Sequence, residues 1–570
     1  MREEGRSVLD RPAFSVILVF MVASFFQKSR EFVNAQQTSI MSAATVISAL
    51  TVVSAILGII RSRFLVSYLE RSQADAFLVG FRIPDFLFQL LVAGVLSATF
   101  IPVFTRVYHK DPKDAKNLVN TLITQLSLVY VLFAVVVGIF APQILRLMTG
   151  SGFSDSQVMV AASMTRIMLG STFFLLLSNF LSGILQSNRH FLLPALSPVL
   201  YNLGIIFGIV ALTPQFGVYG PALGVVVGSL VHFLIQLPLA TKLGFSYRPK
   251  FSLKNLDVRE VYRLMVPRGA TLTTNYVEDF VGLFVVTSIG NSFVLIYTIA
   301  NQLAAAPIRL FGVSIAQAAL PFLSIKAKEH DMHGFMELLT DTLHQIAFFM
   351  FPAGTLLLVL RIPIVRLAFG AKKLPWSDTV LLGRLVAIFS LSIAALAMTH
   401  VVLRAYYALK ETKLPFVFAT ISMIINILIM TLGAFYGGLG ISAVAIGPSV
   451  AAILEFLLLL VFLFRKVGYF NSHEFFVPQL KMVVATVLMG VALYFPMKLL
   501  DKLVFDTTRV WGLLALTTVV SLVGTIVYLA FSKLLGVEQL SILASIHGKL
   551  RGWQTRLSRT TEVLNVDEES

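Results

Sequence analysis

FLVGFRIPDFLFQLLVAGVLSATFIPVF, running from Phe77 to Phe104, is long and apolar enough to cross a bilayer as a helix, yet it holds Arg82 well inside it. About 20 apolar residues are needed to span a ~30 Å hydrocarbon core. A charged side chain at the centre of that core costs roughly 2.5–3.5 kcal/mol even on a lenient insertion scale, so such an arginine faces a polar cavity and marks a transport path. The pattern points to a transporter for something anionic.

Working outward, apolar runs of this kind recur near 41 to 60, 77 to 104, 119 to 142, 157 to 186, 192 to 213, 216 to 240, 261 to 289, 293 to 323, 338 to 360, 380 to 408, 415 to 436, 439 to 464, 476 to 497 and 511 to 532. The reading is an all-α integral membrane protein with fourteen transmembrane helices. Composition agrees, since 13% of residues are charged and 57% hydrophobic, against about 25% charged in soluble domains. The absence of cysteine removes disulfides and thiol chemistry together. A formal net charge of +16 is assigned to basic loops at a cytoplasmic membrane face rather than to nucleic acid.

Basic residues orient the spans, because cytoplasmic loops hold the excess. Lys242, Arg248, Lys250, Lys254, Arg259 and Arg263 cluster between spans 6 and 7, and Arg106, Lys110, Lys113 and Lys116 between spans 2 and 3. Both segments, and therefore both termini, are expected inside. Two loops oppose this assignment: Arg361, Arg366, Lys372 and Lys373 between spans 9 and 10, and Lys498, Lys502 and Arg509 between spans 13 and 14. Residues 1–40 read as an interfacial N-terminal extension, in preference to a signal peptide or a fifteenth span. The tail 536–570, with Lys549, Arg551, Trp553, Arg556 and Arg559, reads as a cytoplasmic surface helix with an acidic end.

A repeat of about 220 residues organises the rest. Pro84 and Pro102 are answered by Pro307 and Pro321, Arg146 and Arg166 by Arg366 and Arg384, and Gly217 and Gly220 by Gly437 and Gly440. The expected layout is an N-lobe at 41–240, a linker at 241–260, a C-lobe at 261–464 and two added helices at 476–535. Each lobe has six helices, an even number, so the copies share one orientation and place the substrate between them near the midplane. Gly220, Gly224 and Gly228 form a close-packing stripe.

Four stretches carry a family resemblance: DAFLVGFRIPDFL from Asp75, GILQSNRHFLLPALSPVLYNLGIIFG from Gly183, MVPRG from Met265 and RAYYALKETKLP from Arg404. In collinear order they resemble the MurJ/MviN family, lipid II flippases within the larger group of multidrug, oligosaccharidyl-lipid and polysaccharide exporters. The resemblance covers roughly residues 40 to 535. It implies an inverted-V transporter in the bacterial inner membrane that moves undecaprenyl-diphosphate-linked saccharide to the outer leaflet for peptidoglycan synthesis, with spans 13 and 14 forming a groove for the lipid tail. Membrane lipids and cell-wall synthesis enzymes are the implied partners.

The basic residues read from chemistry agree, because arginine stays charged and presents a fork of donors matching phosphate oxygens. Arg61 and Arg63 end span 1, Arg82 lies in span 2, Arg268 in span 7 and Arg309 in span 8, so a site of Arg61, Arg82, Arg268 and Arg309 is expected, with Asp75 orienting one of them. The alternative for both Arg61 and Arg63 is an ordinary membrane-interface anchor. Arg166 and Arg384 hold matched places in the two halves and read as lobe-internal structure. Against the family pattern, Ala55, Phe88, Gln89 and Gln302 replace basic residues, and Ala93 replaces a glutamate.

No GxxxxGK[ST] phosphate loop, HExxH or metal-spaced carboxylate cluster occurs, so the chain reads as a transporter without a catalytic or ATPase motif and without a cofactor. Glu278 and Asp279 sit inside span 7. In the resembled family a sodium site involves spans 7 and 11, and here Ser422 and Asn426 lie four apart on span 11. Sodium or proton coupling through Glu278, Asp279, Ser422 and Asn426 is the expectation, against pairing of an acid with Arg268. His232, His344 and His400 read as packed or interfacial. Beside the flippase reading stand an exporter of another lipid-linked polysaccharide or of drugs, and a non-transporting cell-wall scaffold.

Overall fold

The computed structural model describes residues 40–90, 96–252, 254–290, 293–370, 374–507 and 509–541; within these, the side chains of 40–45, 96–98 and 266–275 lie outside the description. The interfacial helix expected before residue 40 and the surface helix of the tail fall outside the described residues.

Every described element is helical. In chain order these are α1 Ile40–Tyr68, α2 Arg71–Phe88, α3 Leu96–Lys110, α4 Pro112–Met148, α5 Asp155–Ser187, α6 Leu192–Phe207, α7 Gly220–Leu234, α8 Leu237–Lys242, α9 Leu256–Ile289, α10 Val294–Pro307, α11 Ser314–Lys328, α12 Met332–Val359, α13 Arg361–Phe369, α14 Trp376–Ser390, α15 Ile393–Ala408, α16 Lys413–Phe435, α17 Ala443–Val467, α18 Ser472–Leu503 and α19 Val510–Leu534. Among the described residues, ten helical stretches are long and apolar enough to cross a membrane, or eleven if α14 and α15, bent by 42°, form one span. The chain is a multi-pass membrane protein.

The fourteen expected spans do not all appear as separate stretches among the described residues. Spans 5 and 6 are α6 and α7, which short helical turns join into one continuous stretch, Leu192–Lys242, so that they count once. Span 2 falls on α2 and α3, and residues 91–95 between them lie outside the description. Span 7 falls within α9, whose run TLTTNYVED is too polar for a hydropathy criterion.

The helices form two compact units: Met1–Tyr68, Ala76–Leu145 and Val158–Tyr276 in the first, Leu69–Asp75, Arg146–Gln157 and Val277–Ser570 in the second. In the first unit, α6 and α7 pack through the expected glycine stripe. A Cβ built on Gly204 would lie 2.2 Å from Gly228 Cα, and one on Gly208 would lie 2.3 Å from Gly224 Cα, so only hydrogen permits this approach. The chain reverses between the two helices at Gly217, whose φ of +55° favours glycine.

Prolines inside helices remove a donor and leave the carbonyl four residues earlier unpaired. In a membrane such carbonyls must be satisfied within the protein. Pro84 frees the carbonyl of Gly80, which accepts Thr165 Oγ1 from α5 at 2.9 Å. Pro142 frees Gly138, which accepts Nε of the adjacent Arg166 at 2.8 Å. In the second unit Pro352 frees Phe348, which accepts Tyr528 Oη from α19 at 2.9 Å. Each freed carbonyl is thus tied to a neighbouring helix.

Candidate functional site

Arg61 lies on α1, half-buried in the first unit. Its Nη1 donates to Asn202 Oδ1 on α6 at 3.1 Å. Asn202 is itself held by its Nδ2, which donates to Ser54 Oγ and Pro198 O, each at 3.1 Å. A neutral amide thus fixes the guanidinium without cancelling its charge, which leaves further N–H donors for an anion. Tyr201 and Asp85 lie close enough to act electrostatically on Arg61. Asp85 Oδ2 accepts from Tyr276 Oη at 3.2 Å, and Tyr276 packs edge-on against Phe86 at 4.9 Å.

Arg82 is half-buried on α2, and its guanidinium makes no hydrogen bond among the described residues. The backbone of Arg268 lies in α9 of the first unit; its side chain is outside the described residues. Arg309 belongs to the second unit, exposed in the π-helical turn Ile308–Val313 that follows Pro307. Asp75 also belongs to the second unit, fully buried, and its two oxygens accept the N–H groups of Val294 and Leu295 at 3.1 and 2.8 Å. In this structure it therefore orients the start of α10. Near it, Arg71 Nη1 pairs with Asp378 Oδ1 at 2.6 Å.

Of the four ion-site candidates, Glu278 and Asn426 meet directly, the amide donating to Glu278 Oε1. Ser422 donates to Ala451 O at 2.8 Å. Asp279 is exposed on the next face of α9. Glu455 of α17 interacts with both Glu278 and Ser422. Sequence reading missed it, although a lone acid in the apolar run of α17 carries the same signal that singled out Glu278. Asp85 was missed in the same way beside Arg82. Asn426 Oδ1 is buried without a hydrogen-bond partner among the described residues. An orphaned amide oxygen beside two carboxylates and a hydroxyl is a donor set that fits a hard monovalent cation or a shared proton. His232 Nδ1 contacts Ser178 Oγ at 2.6 Å, and His344 Nε2 contacts Phe475 O at 2.9 Å; both are packed.

The family model described as "Lipid II flippase MurJ" matches residues 67–513. A probable lipid II flippase MurJ of Bdellovibrio bacteriovorus is 28% identical over 494 residues, covering 85% of this chain and 93% of its own. The lipid II flippase MurJ of Burkholderia cenocepacia is 28% identical over 429 residues, covering 73% and 82%. Among solved structures, a lipid II flippase MurJ in an inward closed conformation matches with a TM-score of 0.71 at 24% identity, over 86% of this chain and 98% of its own. An inward-facing multidrug-resistance MATE transporter matches with a TM-score of 0.58 at 17% identity, over 73% and 94%. The chain belongs to the lipid II flippase MurJ family.

Proposed function

We propose that this chain is a flippase that carries lipid II, the undecaprenyl-diphosphate-linked peptidoglycan precursor, from the inner to the outer leaflet of the bacterial cytoplasmic membrane. The family match across residues 67–513 carries this reading. Arg61, held by Asn202 with its charge intact, supports it as one anchor for the diphosphate. In the first unit Arg82 and Arg268 are proposed as further anchors; in the second, Arg309 is proposed as one, with Asp75 fixing the helix that leads to its turn. Transport proceeds by alternating access of two repeat-related lobes within fourteen spans, both termini being cytoplasmic. A cation held by Glu278, Asn426, Ser422 and Glu455, with Asp279 at its margin, would neutralise an acid in the apolar interior.

The replaced cavity positions Ala55, Phe88, Gln89, Ala93 and Gln302 favour one alternative, a different lipid-linked headgroup. The deciding experiment is expression of this chain in a strain depleted of its essential lipid II flippase. Restored growth and normal inner-leaflet lipid II are expected. Continued lipid II accumulation, with the protein present in the membrane, would rule out lipid II as the substrate. Topology is tested with cysteines introduced at Gln215 and Arg248, since the chain has none of its own. An impermeant thiol reagent should label the first and spare the second in intact cells, and the reverse would invert the assignment.

A further inference from the structure

Asp85 sets a negative charge among the arginines of the first unit. It stands on α2 three residues past Arg82, a spacing that puts both side chains on one helix face. It acts electrostatically on Arg61 of α1 and on Tyr201 of α6, and Tyr201 in turn feels Arg61. Among the described residues, however, the guanidinium of Arg61 hydrogen-bonds to Asn202 and to no carboxylate. Asp85 Oδ2 accepts the hydroxyl of Tyr276 at 3.2 Å, a neutral donor that leaves the carboxylate its charge.

A carboxylate locked to an arginine would orient its fork, the role expected of Asp75. Arg61 takes its orientation from Asn202 instead, and Arg82 makes no hydrogen bond among the described residues. What Asp85 supplies to both is its field. A diphosphate drawn in by Arg61 and Arg82 meets repulsion from Asp85, and in a half-buried site such terms are several times larger than in water. Guanidinium forks grip phosphate oxygens with short, charge-assisted bonds. Held by these alone, a diphosphate would leave slowly, whereas transport needs binding strong enough to load and weak enough to unload. In the empty site the same carboxylate offsets arginine charge that is costly when buried without compensation. Phe88 and Gln89, three and four residues further along this face of α2, add no base to outweigh it.

We propose that Asp85 is a built-in counter-charge that weakens diphosphate binding at the arginines and speeds release, so that the site can turn over. The inference rests on the reading of Arg61 as a diphosphate anchor. The probe is farnesyl diphosphate, titrated against the whole protein in detergent micelles; flipping of the lipid-linked substrate is measured beside it in proteoliposomes. Asp85→Asn, which keeps the shape of the side chain, should bind the probe about tenfold more tightly and lower both KM and the maximal flipping rate. Asp85→Ser should tighten binding as well, and Asp85→Glu, which keeps the charge, should not. Arg61→Gln should weaken probe binding at least about tenfold. If it does, weaker or unchanged binding in Asp85→Asn and Asp85→Ser overturns this proposal alone, as does tighter binding with an unaltered maximal rate. Undiminished binding in Arg61→Gln refutes the diphosphate anchor itself, and the proposal with it.

Discussion

The carboxylate of Asp75 accepts the backbone N–H of Leu295 at 2.8 Å and so holds the N-terminus of α10, a helix more than two hundred residues away in sequence. The N–H groups of a helix's first turn have no partner inside the helix, and a negative charge there also meets the positive end of the helix dipole. Asp75 is completely buried, so water cannot replace it. Asp75→Ala should lower stability by about 2 kcal/mol, with Asp75→Asn losing less because an amide oxygen still accepts. Thermal unfolding in detergent checks this. An unchanged midpoint in the alanine variant would refute the assignment.

Arg61→Ala should reduce lipid-linked substrate binding and flipping by roughly ten- to a hundredfold, because hydrogen bonds to charged groups contribute about 1.5–3 kcal/mol each. Arg61→Lys should recover part of this, keeping the charge and losing the fork. Asn202→Ala should fall between wild type and Arg61→Ala, because the guanidinium remains but its orienting acceptor is gone. The measurement is flipping in proteoliposomes, normalised to protein. Full activity of Arg61→Ala would remove it from the site.

If Glu278 and Glu455 share a cation or proton, Glu278→Gln should abolish the response of transport to sodium and proton gradients and leave membrane insertion intact. The readout is flipping with each gradient imposed and collapsed. A gradient response equal to wild type would eliminate this pair as the coupling element.

Much of the fold was legible in the sequence because the bilayer imposes long apolar helices, the element that satisfies every backbone group within one segment. The arginine at 61, the glycine stripe of α7 and the acid at 278 could be read the same way. Three things could not. Asp75 looked like a partner for an arginine, since residue type does not reveal that its nearest donors are backbone groups of a remote helix. The prolines of α2, α4 and α12 did not reveal that Thr165, Arg166 and Tyr528 would take up the freed carbonyls, because those partners lie on other helices. The 42° bend between α14 and α15, within one expected span, was also hidden, since no proline or glycine stands at residues 390–393 to mark it.

Outside the spans, Arg106 at the end of α3 binds Glu260 and Asp257 of α9 at 2.6 and 3.1 Å. The hydrogen bond from Arg106 holds the Glu260 carboxyl below its usual range. A depressed carboxylate contributes stability above its unfolded value of about 4.3, and that contribution is lost as pH falls through the lower folded value. The midpoint difference between wild type and Glu260→Gln should therefore be constant from pH 8 to 6 and shrink below about pH 4.5. Because the pair is exposed, salt should shrink it too. A difference that grows on acidification contradicts this.

The bond from Tyr528 to the carbonyl of Phe348 exists because Pro352 has no N–H to offer. Removing the hydroxyl in Tyr528→Phe leaves a buried carbonyl unsatisfied, at a cost of about 1–3 kcal/mol. Pro352→Ala restores the helical donor, so in that background the hydroxyl becomes redundant and Tyr528→Phe should cost less than half as much. A double-mutant cycle on unfolding midpoints isolates the coupling from any packing change in the tyrosine ring, which phenylalanine preserves. Thr165→Val with Pro84→Ala should behave alike in the first unit, where Thr165 takes the Gly80 carbonyl. Additive costs in both cycles would show that these hydroxyls do not stand in for the donors the prolines lack.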